Sequence, residues 1–183
     1  MKKYELLVDD TITFFGVQLF RIKALISFSG IEKGEVGGYI ASEKNLSQYG
    51  DAWVYGNARV YGNAEVYGDA EVYGDAEVYG DAEVYDNARV YGNAEVYDNA
   101  EVYGDARVSD NADYIVFKNT WSSGRYFTYT KSNRKWRVGC FYGSGAELVE
   151  KAYKDSKKSG DFYKAYVDFV EKLEAIEDIH KEQ

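Results

Sequence analysis

The sequence predicts a mainly β protein: a parallel β-helix of triangular, 18-residue coils, with an N-terminal β-hairpin cap and a small C-terminal α+β domain. Three observations predict it. A six-residue word recurs eleven times from Gly50 to Ile115. In almost every word an alanine and a valine stand two positions apart. The flanking chain has hairpin periodicity before the words, and strand and then helix periodicity after them. The boundaries read as 1–49 for the cap, 50–115 for the repeats and 116–183 for the C-terminal domain.

In the cap, ITFFG and VQLFRIKALISF are rich in β-branched and aromatic residues and are separated by Gly16, which predicts a hairpin. GIEKGEVGGYI and ASEKNLSQYG follow and are expected to form an irregular first coil over the open end of the repeats.

The words run GDAWVY, GNARVY, GNAEVY, GDAEVY three times, DNARVY, GNAEVY, DNAEVY, GDARVS and DNADYI. Repeats of this length mean a solenoid. Strand alternation puts Ala and Val on one face, and the variable residue and Tyr on the other. Gly followed by Asp or Asn is corner chemistry, because both tolerate positive φ. Three words close into a prism too narrow for anything but small side chains, so alanine and valine point inward. Eleven words make roughly 3.7 coils, a rise of about 18 Å at the interstrand spacing. DNADYI puts Tyr114 where valine belongs and Ile115 where tyrosine belongs, so the repeat is expected to end there.

After Ile115, RYFTYT and KWRVGCFY read as two strands joined by KSNR. Ser144 with Glu147 is a capping-box signature, so a helix should begin near Gly145. A second helix is predicted from about Asp161. Its stripe Phe162, Tyr166, Phe169, Val170, Leu173 and Ile176 is expected to pack on its own sheet.

The order V-Y-G-(D/N)-A-x resembles the hexapeptide pattern of left-handed parallel β-helices, with tyrosine where that pattern usually has a small or acidic residue. The resemblance implies a left-handed coil; periodicity alone is equally compatible with a right-handed one. Gly37, Gly38, Tyr39, Asn45, Leu46, Ser47, Gln48 and Trp53, in GGYIASEKNLSQYGDAWVY, resemble the opening of a family of hexapeptide-repeat proteins common in phages and prophages. The tail RYFTYT…WRVGCFYGSGAELVEKAY is similar to a small domain that often follows such repeats. The likeness covers about residues 4–170. It implies a phage or prophage setting and, by association with small acidic phage proteins, an anti-CRISPR or other counter-defence role.

Composition narrows the function classes. The chain has 183 residues, 17% of them aromatic, 19 tyrosines, no proline and a net charge of −9. Cys140 is the sole cysteine, so no intrachain disulfide forms; a reducing cytoplasm is expected. MKKYELLVDD lacks the apolar core of a signal peptide, and no stretch has the roughly 20 apolar residues that span a bilayer. No membrane partner is therefore expected.

Hexapeptide-repeat acyltransferases resemble one another in using a histidine base near a protruding loop. Here the only histidine is His180, outside the repeats, and no loop interrupts the words. The zinc carbonic anhydrases of this scaffold need three histidines. Cys140 reads as a buried structural thiol beside Phe141. We expect no enzyme, no metal and no cofactor.

Charge points to binding. Residues 50–113 carry three basic and fifteen acidic side chains, net −12; residues 114–183 carry thirteen and ten, net +3. With 18 residues per coil, one outer column is Trp53, Glu71, Arg89, Arg107; a second is Arg59, Glu77, Glu95, Asp113; a third is Glu65, Glu83, Glu101, with no arginine. Beside the third run Tyr67, Tyr85 and Tyr103. These six residues are the candidate partner-binding face: exposed tyrosines anchor interfaces, and ordered carboxylates imitate a phosphate track. The expected partner is a host protein, a basic nucleic-acid-binding nuclease, in the bacterial cytoplasm. A second reading takes Arg125, Lys131, Arg134, Lys135 and Arg137 as nucleic-acid contacts, with Trp121 or Trp136 stacking on bases. That basic segment, 118–142, is equally suited to a second copy, giving a homodimer. A third reading is a structural or assembly protein of the phage particle.

Overall fold

The computed structural model describes residues 2–181. Alternating aromatic and β-branched residues fold β1 (Tyr4–Phe14) against β2 (Val17–Ala24) as an antiparallel hairpin. Its two-residue turn needs positive φ at both positions, 45° at Phe15 and 80° at Gly16. A register shift between Leu7 and Thr11 bulges β1. β2 pairs with β3 (Val36–Ile40), and β3 lies parallel to the repeat strands below it. The hairpin thus joins the solenoid as part of one of its sheets.

Each complete word forms a two-residue strand. These are β4 (Trp53–Val54), β5 (Arg59–Val60), β6 (Glu65–Val66), β7 (Glu71–Val72), β8 (Glu77–Val78), β9 (Glu83–Val84), β10 (Arg89–Val90), β11 (Glu95–Val96), β12 (Glu101–Val102) and β13 (Arg107–Val108). They stack parallel to one another in three sheets, β1-β2-β3-β5-β8-β11, in which the hairpin strands are antiparallel, β4-β7-β10-β13 and β6-β9-β12. Strand partners such as Glu71 and Arg89 lie 18 positions apart, so the coil closes after three words. At the cap, Tyr39 faces Arg59 and Leu46 faces Val66, each 20 positions apart. Two extra residues are absorbed between Leu46 and Trp53. The interior is a column of alanine and valine from Ala52 to Val108, every one of them essentially without exposure. Of the two corner residues only the first takes positive φ. It is Gly in most words, and Asp86 (56°) and Asp98 (54°) in two. A Cβ at Gly50 would lie 2.5 Å from the Gly68 carbonyl, so coil-on-coil contact as well as φ selects glycine there.

The corner, variable and tyrosine N–H groups of the words point toward the following coil, as Trp53 to the Ala70 carbonyl, Glu71 to Ala88 and Arg89 to Ala106, while the intervening valine N–H points the other way, as alternation along a parallel strand requires. With no further coil to bond, the Gly50, Ala52 and Gly56 carbonyls of the first coil and the Glu95, Arg107 and Ser109 N–H groups of the last need side-chain partners. Donors cap the first edge. Lys3 Nζ donates to the Ala52 and Gly50 carbonyls at 2.8 and 3.2 Å. Asn45 Nδ2 donates to Ala64 and Gly62 at 2.8 and 3.2 Å, and Arg21 Nη1 to Gly56 at 3.1 Å. Acceptors cap the last edge. Glu95 N–H donates to Asn111 Oδ1 at 2.6 Å, Arg107 N–H to Ser132 Oγ at 2.7 Å and Ser109 N–H to Asp113 Oδ2 at 2.7 Å. Asp110 has extended backbone (φ −146°), so the eleventh corner does not form and a short 3-10 turn replaces it. Tyr114 then closes the core from below, its hydroxyl donating to the Glu95 carbonyl.

Two compact units result. The first runs to Val116 and takes in Thr130–Asn133; the second comprises Phe117–Tyr129 and the chain from Arg134. The C-terminal sheet has the order β14 (Tyr114–Lys118), β15 (Tyr126–Thr130), β16 (Lys135–Val138), β17 (Phe141–Gly143). KWRVGCFY is therefore two strands, not one: Gly139, at φ 56°, turns the chain and the strands pair as a hairpin. Cys140 sits in that turn and is exposed, not a buried structural thiol. Helix α1 (Gly145–Asp155) starts at the expected capping box, with Ser144 N–H donating to Glu147 Oε2 at 2.7 Å and Glu147 N–H to Ser144 Oγ at 3.3 Å. Helix α2 (Lys157–Lys181) starts four residues before Asp161. Gly160 lies so close under the Tyr153 ring that a Cβ there would meet it at 2.1 Å. The core of this unit joins Phe127, Tyr129, Trp136 and Val138 of the sheet to Leu148, Ala152, Tyr163, Val167 and Val170 of the helices.

Asn45→Ala leaves two carbonyls of the first coil without a donor. It is expected to lower unfolding free energy by about 2–3 kcal/mol. The exposed neighbour change Lys44→Ala should stay within about 0.5 kcal/mol. Urea denaturation of both variants checks this.

Candidate interaction surfaces

The outer face of each strand carries the variable residue, so coil stacking turns sequence columns into rows. Neighbouring rows differ in how they handle like charge. Two carboxylates at the interstrand spacing of about 4.8 Å repel by about 0.9 kcal/mol even at water's dielectric. In the first column Arg89 Nε pairs with Glu71 at 3.0 Å; in the second Arg59 Nη1 pairs with Glu77 at 3.0 Å. Glu65, Glu83 and Glu101 stack directly on one another in β6, β9 and β12, a column with no arginine among its own positions.

Tyrosine supplies a different relief. Each tyrosine closes a word, and the carboxylate sixteen residues later lies one coil down beside it. Tyr67 donates its hydroxyl to Glu83 at 2.7 Å and Tyr85 to Glu101 at 3.1 Å. Tyr61 and Tyr79 do the same for Glu77 and Glu95, at 2.9 and 3.0 Å. The rings stack as ladders: Tyr67–Tyr85 at 4.7 Å and 12°, Tyr73–Tyr91 at 5.0 Å and 7°, Tyr61–Tyr79 at 5.1 Å and 3°. Burial against neighbouring rings, and the charge of the accepting carboxylate, push these phenols up, Tyr79 to about 12, with Tyr61 and Tyr67 raised further. Among the described residues no tyrosine hydroxyl donates to Glu65, the exposed first carboxylate of the third row.

The expected site residues are placed as follows. Glu65, Glu83 and Glu101 share one face, with Tyr67, Tyr85 and Tyr103 beside them. Tyr85 is only 6% exposed, because rings above and below enclose it, so it orders the row and is no exposed anchor. Lys135 and Arg137 alternate with Trp136 on β16 and so share its other face. Trp136 is buried in the core of the second unit between Phe127 and Tyr129 and offers no ring to a base. Arg125 is exposed beside Gly139, and Arg134 lies 3.9 Å from Glu174. Lys131 falls in the loop that belongs to the first unit, where its N–H donates to the Asp113 carbonyl. Trp121 is 67% exposed and stacks on Phe162 at 6.2 Å.

The α2 stripe departs from expectation. Its buried residues are Gly160, Tyr163, Val167 and Val170; Phe169, Leu173 and Ile176 are exposed. Of the expected stripe, Val170 is buried and Tyr166 meets Phe117 and Phe127 of the sheet, while the rest of the buried line, which recurs at the same helical spacing, was not read. Phe117, Trp121, Phe162, Ala165, Tyr166 and Phe169 line a cleft of about 350 Å³, a feature the sequence reading missed. Among the described residues no group of three His, Cys, Asp or Glu side chains could hold a metal ion, and no helix is long and apolar enough to cross a membrane.

A family model described as YdcK beta solenoid repeat matches residues 52–70 and 82–98, both within the words. The chain is a repeat β-helix protein and is similar to that family over those stretches. No curated protein matches it.

The raised phenols set a pH dependence. A tyrosine held neutral by the fold favours folding fully below its unfolded value of about 10, and the contribution is lost as pH rises through the folded value. Lys3 acts oppositely: burial lowers it to about 8, so its contribution to stability grows between about 8 and 10.5. Thermal melts should show little loss of stability up to about pH 10, and a cooperative loss toward pH 12. Phenolate absorbance at 295 nm should rise with that unfolding, not before it.

Proposed function

We propose that this is a non-enzymatic interaction protein that holds a basic, nucleic-acid-binding partner on the third face of its solenoid. The observation that carries the reading is the row Glu65–Glu83–Glu101. Its carboxylates are stacked in register in a column that holds no arginine, and two of them are fixed by hydrogen bonds from Tyr67 and Tyr85. A lysine- or arginine-rich groove built for phosphates meets here a line of anions whose positions are already ordered, so little side-chain entropy is lost on docking. Asp residues along the corners extend the negative surface, and corner Asn residues hold some of them in place, as Asn63 Nδ2 donates to Asp81 Oδ1.

The partner class we infer is a nuclease of a bacterial defence system, and the setting is phage or prophage. Support for both comes from the resemblance of the cap and words to phage hexapeptide-repeat proteins, together with the net charge of −12 over residues 50–113. With Trp136 in the core, the nucleic-acid reading of the basic segment lacks one of its two stacking rings.

Inhibition of a panel of purified RNA-guided and restriction nucleases tests the proposal. The wild-type chain should inhibit one of them in a salt-sensitive manner. The triple change Glu65→Lys, Glu83→Lys, Glu101→Lys should weaken inhibition at least tenfold while the chain still folds. Equal inhibition by the triple variant removes the mimic. A gel shift with the chain alone on DNA or RNA would favour direct nucleic-acid binding instead.

A further inference from the structure

We propose that the exposed face of α2, with the aromatic cleft beside it, is the interface of a two-fold symmetric homodimer. The helix has 25 residues, a length of about 37 Å. All its buried side chains fall at or before Val170. A second apolar line runs past that point. Phe162, Tyr166, Phe169, Leu173 and Ile176 alternate steps of four and three, the spacing of a helix–helix seam. At 100° per residue this line is rotated about 120° from the buried one. Phe169 is 49% exposed, Ile176 53% and Ile179 58%.

The cleft restricts what covers it. Trp121 stacks on Phe162, and Phe117 meets Tyr166 and Phe169 at 5.3 and 6.0 Å. No charged side chain lines the cleft, and it has none of the convergent polar groups that orient a small ligand. Apolar side chains from a protein fit it. The chain supplies them on the same helix: the first half of the seam is a concave aromatic cleft, the second half a convex row of Leu173, Ile176 and Ile179. An antiparallel two-fold lays each row in the other copy's cleft, which is the isologous geometry of a C2 dimer.

Area and charge agree with a second copy. The exposed parts of Trp121, Phe169, Leu173, Ile176 and Ile179 come to roughly 600 Å² per copy, or roughly 1,200 Å² for a pair, where stable interfaces begin. A monomer seldom leaves so large a contiguous apolar patch uncovered. Residues 114–183 carry a net +3 and residues 50–113 a net −12, so two copies meeting on the unit of this helix repel less than two meeting on their repeats.

Sedimentation velocity of the full chain over a hundredfold dilution series tests the inference. The expected species at the upper end has twice the monomer mass of 20.8 kDa. Phe169→Glu with Ile176→Glu should give a monomer at every concentration and leave the melting temperature of the monomer unchanged; if that variant does not fold, Ile176→Ser should still weaken the dimer at least tenfold. A wild-type chain that is monomeric throughout overturns the proposal, and binding of an apolar dye by that monomer would assign the cleft to another occupant. A dimer that survives the glutamate changes overturns it as well.

Discussion

The solenoid depends on one constraint: its parallel ladder breaks off at both ends, and the backbone groups left there must be bonded by side chains. At the first coil these include the Gly50, Ala52 and Ala64 carbonyls, and at the last the Glu95, Arg107 and Ser109 N–H groups with the Glu95 carbonyl. Neither end can be left bare inside a capped core, since each unpaired buried group costs about 1–3 kcal/mol. The chain meets the two ends with opposite chemistry. Lys3, Arg21 and Asn45 Nδ2 donate to the first coil, while Asn111 Oδ1, Asp113 and Ser132 accept from the last. The arrangement parallels the capping of an α-helix, with donors and acceptors each placed where the other is missing. It also explains a buried lysine: Lys3 is 2% exposed because no backbone N–H is available above the Ala52 carbonyl.

The same ladder orders the surface. Because strand partners are 18 residues apart, any residue type repeated in the words becomes a row. Valine and alanine rows fill the prism, tyrosine rows stack, and glutamate rows repel. The fold tolerates the repulsion through two devices, arginine in two columns and the tyrosine hydroxyl one coil above. The third column has no arginine of its own, and tyrosine hydroxyls hold two of its three carboxylates in place. That is the physical basis for reading the face as a receptor for a basic partner.

Much of this was legible in the words themselves. The Ala-x-Val spacing defined the inward face, and counting three words per coil gave the three columns as the structure has them. The failure of the repeat at DNADYI was readable from Tyr114. What was not legible depended on contacts between residues far apart in sequence. The donation from Tyr67 to Glu83 follows from an 18-residue coil, yet it appears only when side chains are placed. The capping roles of Lys3 and Asn45 needed the direction of the ladder. In the second unit, two apolar stripes on α2 shared one period, and burial by the sheet chose Tyr163, Val167 and Val170 over Phe169, Leu173 and Ile176. Gly139 carried the only sign that KWRVGCFY would turn, and Trp136 gave no sign that it faced the core.

The central claim is that side-chain capping makes the first coil as firmly bonded as the coils inside. Amide hydrogen exchange, resolved residue by residue, tests it most directly. The account predicts that the Trp53, Arg59 and Glu65 amides of the first coil are protected to within about tenfold of Glu71, Glu77 and Glu83 in the next. Protection that falls away steeply toward the first coil, or that shows no six-residue period, would contradict it.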